Sequence, residues 1–138
     1  MILLDTNVVS ELMLAKPETH VLRWLDRQPA SSIWISAVTV YEIRFGLLVM
    51  PPGNKRSSLI EWFERWLVDV VERRIVDFDN LAAGEAAKLA ADRKRVGRLR
   101  DHRDTMIAGI VLANQATLAT RNVRHFDDIA KSVVNPWE

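Results

Sequence analysis

The chain has 138 residues, 49% of them hydrophobic and 27% charged, with 19 Lys and Arg against 18 Asp and Glu for a formal net charge of +1. That length suits a single domain over 1–138 with one sizeable core, and the composition excludes a disordered or membrane-embedded chain. The lack of cysteine excludes disulfides and thiolate zinc sites; with no basic leader and no apolar run of spanning length, a cytoplasmic protein is expected.

In chain order, Ile2 to Leu4 reads as a short buried strand, followed by a helix over VVSELML that Thr6 or Asn7 can cap. Pro17 suits the first turn of a second helix, PETHVLRWLDRQ. SIWIS (32–36) is the second strand, and the helix AVTVYEIRFGLLVM after it should run until Pro51 and Pro52 stop it. Thr39 and Glu42 have capping-box spacing, which by itself gives Glu42 a structural role. Lys55 to Arg73 is an amphipathic helix with Leu59, Trp62, Phe63, Trp66, Leu67 and Val70 at helical spacing. RIVDF, the alanine-rich helix LAAGEAAKLAADRKR, the helix DTMIAGIVLANQA, the strand TLAT, a polar turn RNVRHFDD and an edge strand SVV complete the chain. Short apolar strands alternating with helices imply a central parallel sheet flanked by helices, a three-layer α/β/α fold.

In such a sheet ligands bind beyond the carboxyl ends of the strands. Asp5 closes the first strand, Glu42 lies in the helix after the second, Asp104 opens the helix leading into TLAT, and Asn122 follows TLAT. Each acidic residue alone is adequately explained as a helix cap. Together they form a cluster of oxygen donors suited to a hard cation such as Mg²⁺ or Mn²⁺. Between Arg93 and Arg103, six basic residues run directly into Asp104, so Arg98, Arg100 and Arg103 are candidate phosphate contacts. Of the three histidines, His102 lies nearest this cluster in sequence.

MILLDTNVVSE, ISAVTVYEIRFGL, DTMIAG and LATRNVRHF resemble, in order, the four blocks of the PIN-domain nucleases, and more narrowly the VapC-type toxins of the FitB-like branch, where a terminal NPW is also familiar. The resemblance implies a PIN fold, with Asp5, Glu42 and Asp104 as catalytic and metal-holding residues. Its fourth position falls on Asn122, a neutral amide where some members have aspartate; Asp127 is the alternative for that position, and Thr6 and Thr120 are supporting residues. It further implies Mg²⁺-dependent hydrolysis of RNA (tRNA, rRNA or mRNA), inhibition by a cognate VapB-type antitoxin, and a homodimer that assembles with antitoxin into a heterotetramer or larger. The competing expectation, raised by the neutral Asn122, is a catalytically impaired PIN-fold module that binds nucleic acid or protein and keeps its function in chelator.

Overall fold

The computed structural model describes residues 1–138. Five parallel strands form one sheet in the order β3-β2-β1-β4-β5: β1 (Ile2–Leu4), β2 (Ile33–Ser36), β3 (Ile75–Val76), β4 (Thr117–Ala119) and β5 (Val133–Val134). Six helices connect them: α1 (Thr6–Leu12), α2 (Thr19–Asp26), α3 (Ala37–Leu48), α4 (Asn54–Asp69), α5 (Asn80–Arg95) and α6 (His102–Ala113). Alternation along the strands sorts side chains onto two faces. Leu4, Ile35 and Ala119 join a core with Val8, Val21, Val40, Ile43, Phe63 and Leu67 from α1 to α4. Leu3 and Leu118 join a second core with Ala82, Ile107, Ile110 and Phe126, beneath α5 and α6. Three layers follow, as the alternation of elements implies.

Several expected boundaries move for local reasons. α4 ends at Asp69, short of Arg73, because Glu72 and Arg73 adopt left-handed φ values of 50° and 59° that no helix can continue through. α6 starts at His102, capped by the Asp101 carboxylate, and stops before Gln115 at φ 50°. The stretch expected as a polar turn is a kinked 3-10 segment, Val123–Ser132, because Phe126 and Ile129 alternate with its charged residues and are buried in the second core.

α5 packs closely against α6 at Gly109. A methyl group on Gly109 would meet the Ala82 carbonyl oxygen at 2.5 Å and the Ala86 Cβ at 2.7 Å. Gly109→Ala should therefore force the helices apart and lower stability by about 1–3 kcal/mol. An unchanged melting temperature would show that this approach is not tight in solution.

The order of the strands also fixes where a ligand can sit. From β1 the chain builds outward through β2 and β3, then returns to the other side of β1 for β4 and β5. The reversal lies between β1 and β4, and their carboxyl ends carry Asp5 and Thr120. This is the crevice where open α/β sheets bind ligands.

Candidate functional site

At the end of β1 the Asp5 backbone is extended (φ −70°, ψ 161°), the geometry of a helix cap, and its Oδ1 accepts the Thr6 N–H at 2.8 Å. The sequence reading gave this cap to Thr6 or Asn7; the chain is already helical at Thr6, so Asp5 itself takes it. A carboxylate has roughly four lone-pair sites, so one cap bond leaves it free to do more. Oδ2 accepts from the Thr120 hydroxyl at 2.7 Å and from Asn7 Nδ2 at 3.3 Å. Asn7 in turn donates to Thr120 Oγ1 at 3.1 Å, and its Oδ1 accepts the Arg121 N–H at 3.2 Å. The two turns on either side of the crevice are thereby stitched together.

Glu42 is not a capping-box residue. The cap of α3 is Ser36, whose Oγ accepts the Thr39 N–H at 3.1 Å, and Glu42 lies beyond the first turn. Its Oε1 accepts from the Thr6 hydroxyl at 3.0 Å, and its Oε2 stands 3.6 Å from Arg103. Asp104 occupies the first turn of α6, where the helix dipole favours its charge. Its Oδ2 lies 2.9 Å from His125 Nδ1. The histidine beside the cluster is thus His125, brought back over the start of α6 by the 3-10 segment, and not His102.

Asp5, Glu42, Asp104 and Asn122 line one cleft of about 450 Å³, together with Thr6, Asn7, Ser10, Glu11 and Leu14. Asn122 has its N–H on Thr120 Oγ1 at 3.1 Å. Glu11 is an acidic wall residue the sequence reading passed over; its position four residues after Asn7 on α1 is the signal that could have found it. Asp127 stands apart from the cleft, paired with Arg98 at 2.9 Å and Arg100 at 3.8 Å. The basic run is accordingly partly committed: Arg98 and Arg100 to Asp127, Arg103 to Asp101 and Glu42.

Burial pushes the Asp5 carboxyl above the usual carboxylate range, opposed by the Thr120 and Thr6 hydrogen bonds and reinforced by the charge of Asp104. Burial likewise raises Glu42, with Asp5 and Asp104 adding to the effect and Thr6 and Arg103 opposing it. Acids that raise one another's pKa gain from a bound cation. The donors are all hard oxygens, as Mg²⁺ and Mn²⁺ prefer. No three acidic or histidine side chains close into a cage. Mg²⁺ is commonly held by only one or two carboxylates and completed by water and substrate phosphate.

The chain matches the PIN domain model over residues 2–132. It is 40% identical to the plasmid stability protein StbB of Pseudomonas syringae pv. tomato and 38% identical to the VapC ribonuclease Y4jK of Sinorhizobium fredii, in both cases over 100% of this chain and 99% of the relative. It is 34% identical to toxin FitB of Neisseria gonorrhoeae over 99% of each. The crystal structure of FitAcB from Neisseria gonorrhoeae superposes with a TM-score of 0.91 at 34% identity, covering 100% of this chain and 99% of that one. A sheet-end carboxylate cleft at the β1–β4 switch point, carried on this sequence, thus has a family: the chain belongs to the PIN-domain proteins, among their VapC- and FitB-like members.

Proposed function

We propose that this protein is the toxin of a toxin-antitoxin pair, a divalent-metal-dependent endoribonuclease acting in the cytoplasm as a single-domain chain. The observation that carries the reading is the convergence of Asp5, Glu42, Asp104 and Asn122 on one cleft at the switch point of the sheet. Relatives of matching length named as a ribonuclease and a toxin support it, and no helix is long and apolar enough to cross a membrane.

In this reading Asp5 and Asp104 hold the cation, Mg²⁺ or Mn²⁺, with Glu42 completing its surroundings directly or through water. When bound, the ion supplies a more acidic water and neutralises charge on the leaving oxygen. Thr120 and Asn7 fix the Asp5 carboxylate, and His125 fixes one oxygen of Asp104 while its Oδ1 accepts no protein hydrogen bond. The Thr6 hydroxyl orients Glu42, whose raised pKa suits it to take a proton from an attacking water. Asn122 contributes a neutral amide that can orient that water.

An apolar groove of about 480 Å³, lined by Met13, Leu14, Ile43, Leu47, Met50 and Leu59, opens beside the cleft and shares Thr6, Ser10, Leu14 and Glu42 with it. This is where a VapB-type antitoxin segment would seat, its apolar side chains in the groove and its tail over the carboxylates. Tyr41, Phe45 and Leu48 form a separate exposed apolar patch on α3 that suits a second copy of the chain, giving a homodimer that antitoxin expands to a heterotetramer or larger.

The test is cation linkage. Asp5 and Glu42 bind protons more readily when folded, so the stability they contribute is present at acid pH and withdrawn as pH rises through their raised pKa values. Asp128, Asp101 and Glu64 are shifted down and act in the opposite sense, so a bare acid profile is not diagnostic. Mn²⁺ should raise Tm near neutral pH, with a much smaller effect near about pH 5, and RNA cleavage should stop in chelator. Cleavage that persists in chelator would overturn the metal dependence, whereas RNA binding with no cleavage and no Mn²⁺ shift would point to the non-catalytic module.

A further inference from the structure

Most arginines around the cleft are neutralised. Arg93 is buried against Asp128, Arg98 and Arg100 face Asp127, and Arg103 lies between Asp101 and Glu42. Arg121 differs. It sits between Thr120 and Asn122, its own N–H anchors to Asn7 Oδ1 at 3.2 Å, and its exposed side chain forms no ion pair. The guanidinium instead lies 5.1 Å from the centroid of the Trp137 ring. An aromatic face holds an arginine without cancelling its charge, and leaves the edge donors of the guanidinium free for a bidentate phosphate contact.

Trp137 has a second property that packing does not explain. Its ring packs against the core formed by α1 to α4, yet its Nε1 is buried with no hydrogen-bond partner. The unpaired Nε1 is a cost that a phenyl ring at this position would not carry. What tryptophan supplies in exchange is the strongest of the cation-binding aromatic faces. We propose that Trp137 is a positioning residue that holds Arg121 as the principal phosphate-gripping arginine of the RNA site, in place of the ion-paired arginines of the 93–103 run. The assignment rests on the nuclease reading above for its ligand, an RNA backbone phosphate beside the cleft.

The experiment measures binding of a short single-stranded oligouridylate to the full chain across a salt series, with cleavage and Tm followed separately. Arg121→Gln should raise Kd about tenfold at low salt and reduce the slope of log K against log salt by about 0.7, one single-strand phosphate contact. Arg121→Lys should lose less. Trp137→Leu should also raise Kd, with kcat at saturating RNA within about twofold, and Trp137→Phe should fall between it and the wild type. Arg124, which forms no ion pair and whose side chain nothing holds, is the comparison, and Arg124→Gln should lose less affinity than Arg121→Gln. A fall in Tm with no change in Kd would make the Arg121–Trp137 contact a mere staple of the carboxyl terminus and overturn the proposal. So would a larger loss from Arg98→Gln or Arg124→Gln, or a wild-type chain that binds no RNA. If the wild type binds RNA but does not cut it, the catalytic reading falls, while the Kd and slope still decide the role of Arg121.

Discussion

Asp5→Asn should lower kcat for RNA cleavage on the order of 10³-fold, beyond the 10- to 100-fold typical for a partner one step removed from a metal. The same variant should fold. Asparagine is a good helix cap, and its one oxygen can still accept the Thr6 N–H. It loses the charge and places an amide against the Thr120 hydroxyl and the Asn7 amide, where two donors meet an acceptor in the native chain. Removal of a buried carboxylate charge offsets part of that loss, because burial disfavours the ionised form. Asp5→Ala removes the cap as well and should cost about 1 kcal/mol more in stability. Retention of more than about a tenth of kcat in a folded Asp5→Asn protein would remove Asp5 from the reacting centre.

The second large effect lies away from the cleft. Arg93 is only 4% exposed and joins three elements: Nε and Nη2 bind the Asp128 carboxylate at 2.7 and 3.0 Å, Nη1 donates to Thr105 Oγ1 at 2.9 Å, and Nη2 reaches the His125 carbonyl at 3.3 Å. Thr105 follows Asp104 directly, and His125 touches it. The guanidinium therefore clamps α5, the start of α6 and the 3-10 segment around one candidate ligand. Arg93→Ala leaves the Asp128 carboxylate half-buried without its partner and should cost about 3–5 kcal/mol. At roughly 3–5 °C per kcal/mol for a chain of this size, Tm should fall by about 10–20 °C. Replacing both charges, as in Arg93→Met with Asp128→Leu, should recover most of that stability, because the penalty comes from the orphaned charge more than from the lost pair. Arg93→Ala should also impair cleavage, and the double variant should stay impaired while its stability recovers, since nothing then holds the His125 carbonyl. Single variants that lose less than about 1 kcal/mol would show that the clamp is not closed in solution.

These residues also mark what a linear reading can and cannot see. The parallel sheet was legible because short apolar runs alternate with helix-period segments, and the convergence of Asp5, Glu42, Asp104 and Asn122 on one cleft was legible because strand ends point where such sheets bind ligands. The cap falls to Asp5 because a carboxylate can serve a helix and a cleft at once, roles that spacing alone offers as alternatives. His125 was missed, and His102 preferred, because the 3-10 segment folds back over α6 only once Phe126 and Ile129 bury themselves, a contact between residues far apart in sequence. The basic run was over-read for the same reason. Its arginines look free in sequence, whereas Asp127 and Asp128, 29 and 35 residues from Arg98 and Arg93, neutralise several of them. Arg121 is a lone basic residue in a turn whose partner is aromatic and sixteen residues away, so spacing does not single it out.

The proposed role of the Asp5–Glu42–Asp104 cleft is that of a cation-dependent nuclease centre. It is tested most directly by cleavage of cellular RNA with wild-type protein and Asp104→Asn side by side, in Mn²⁺ and in chelator, with Tm confirming that both are folded. Fragments are expected only from the wild type in Mn²⁺. Cleavage by folded Asp104→Asn at the wild-type rate, or by the wild type in chelator, would contradict it.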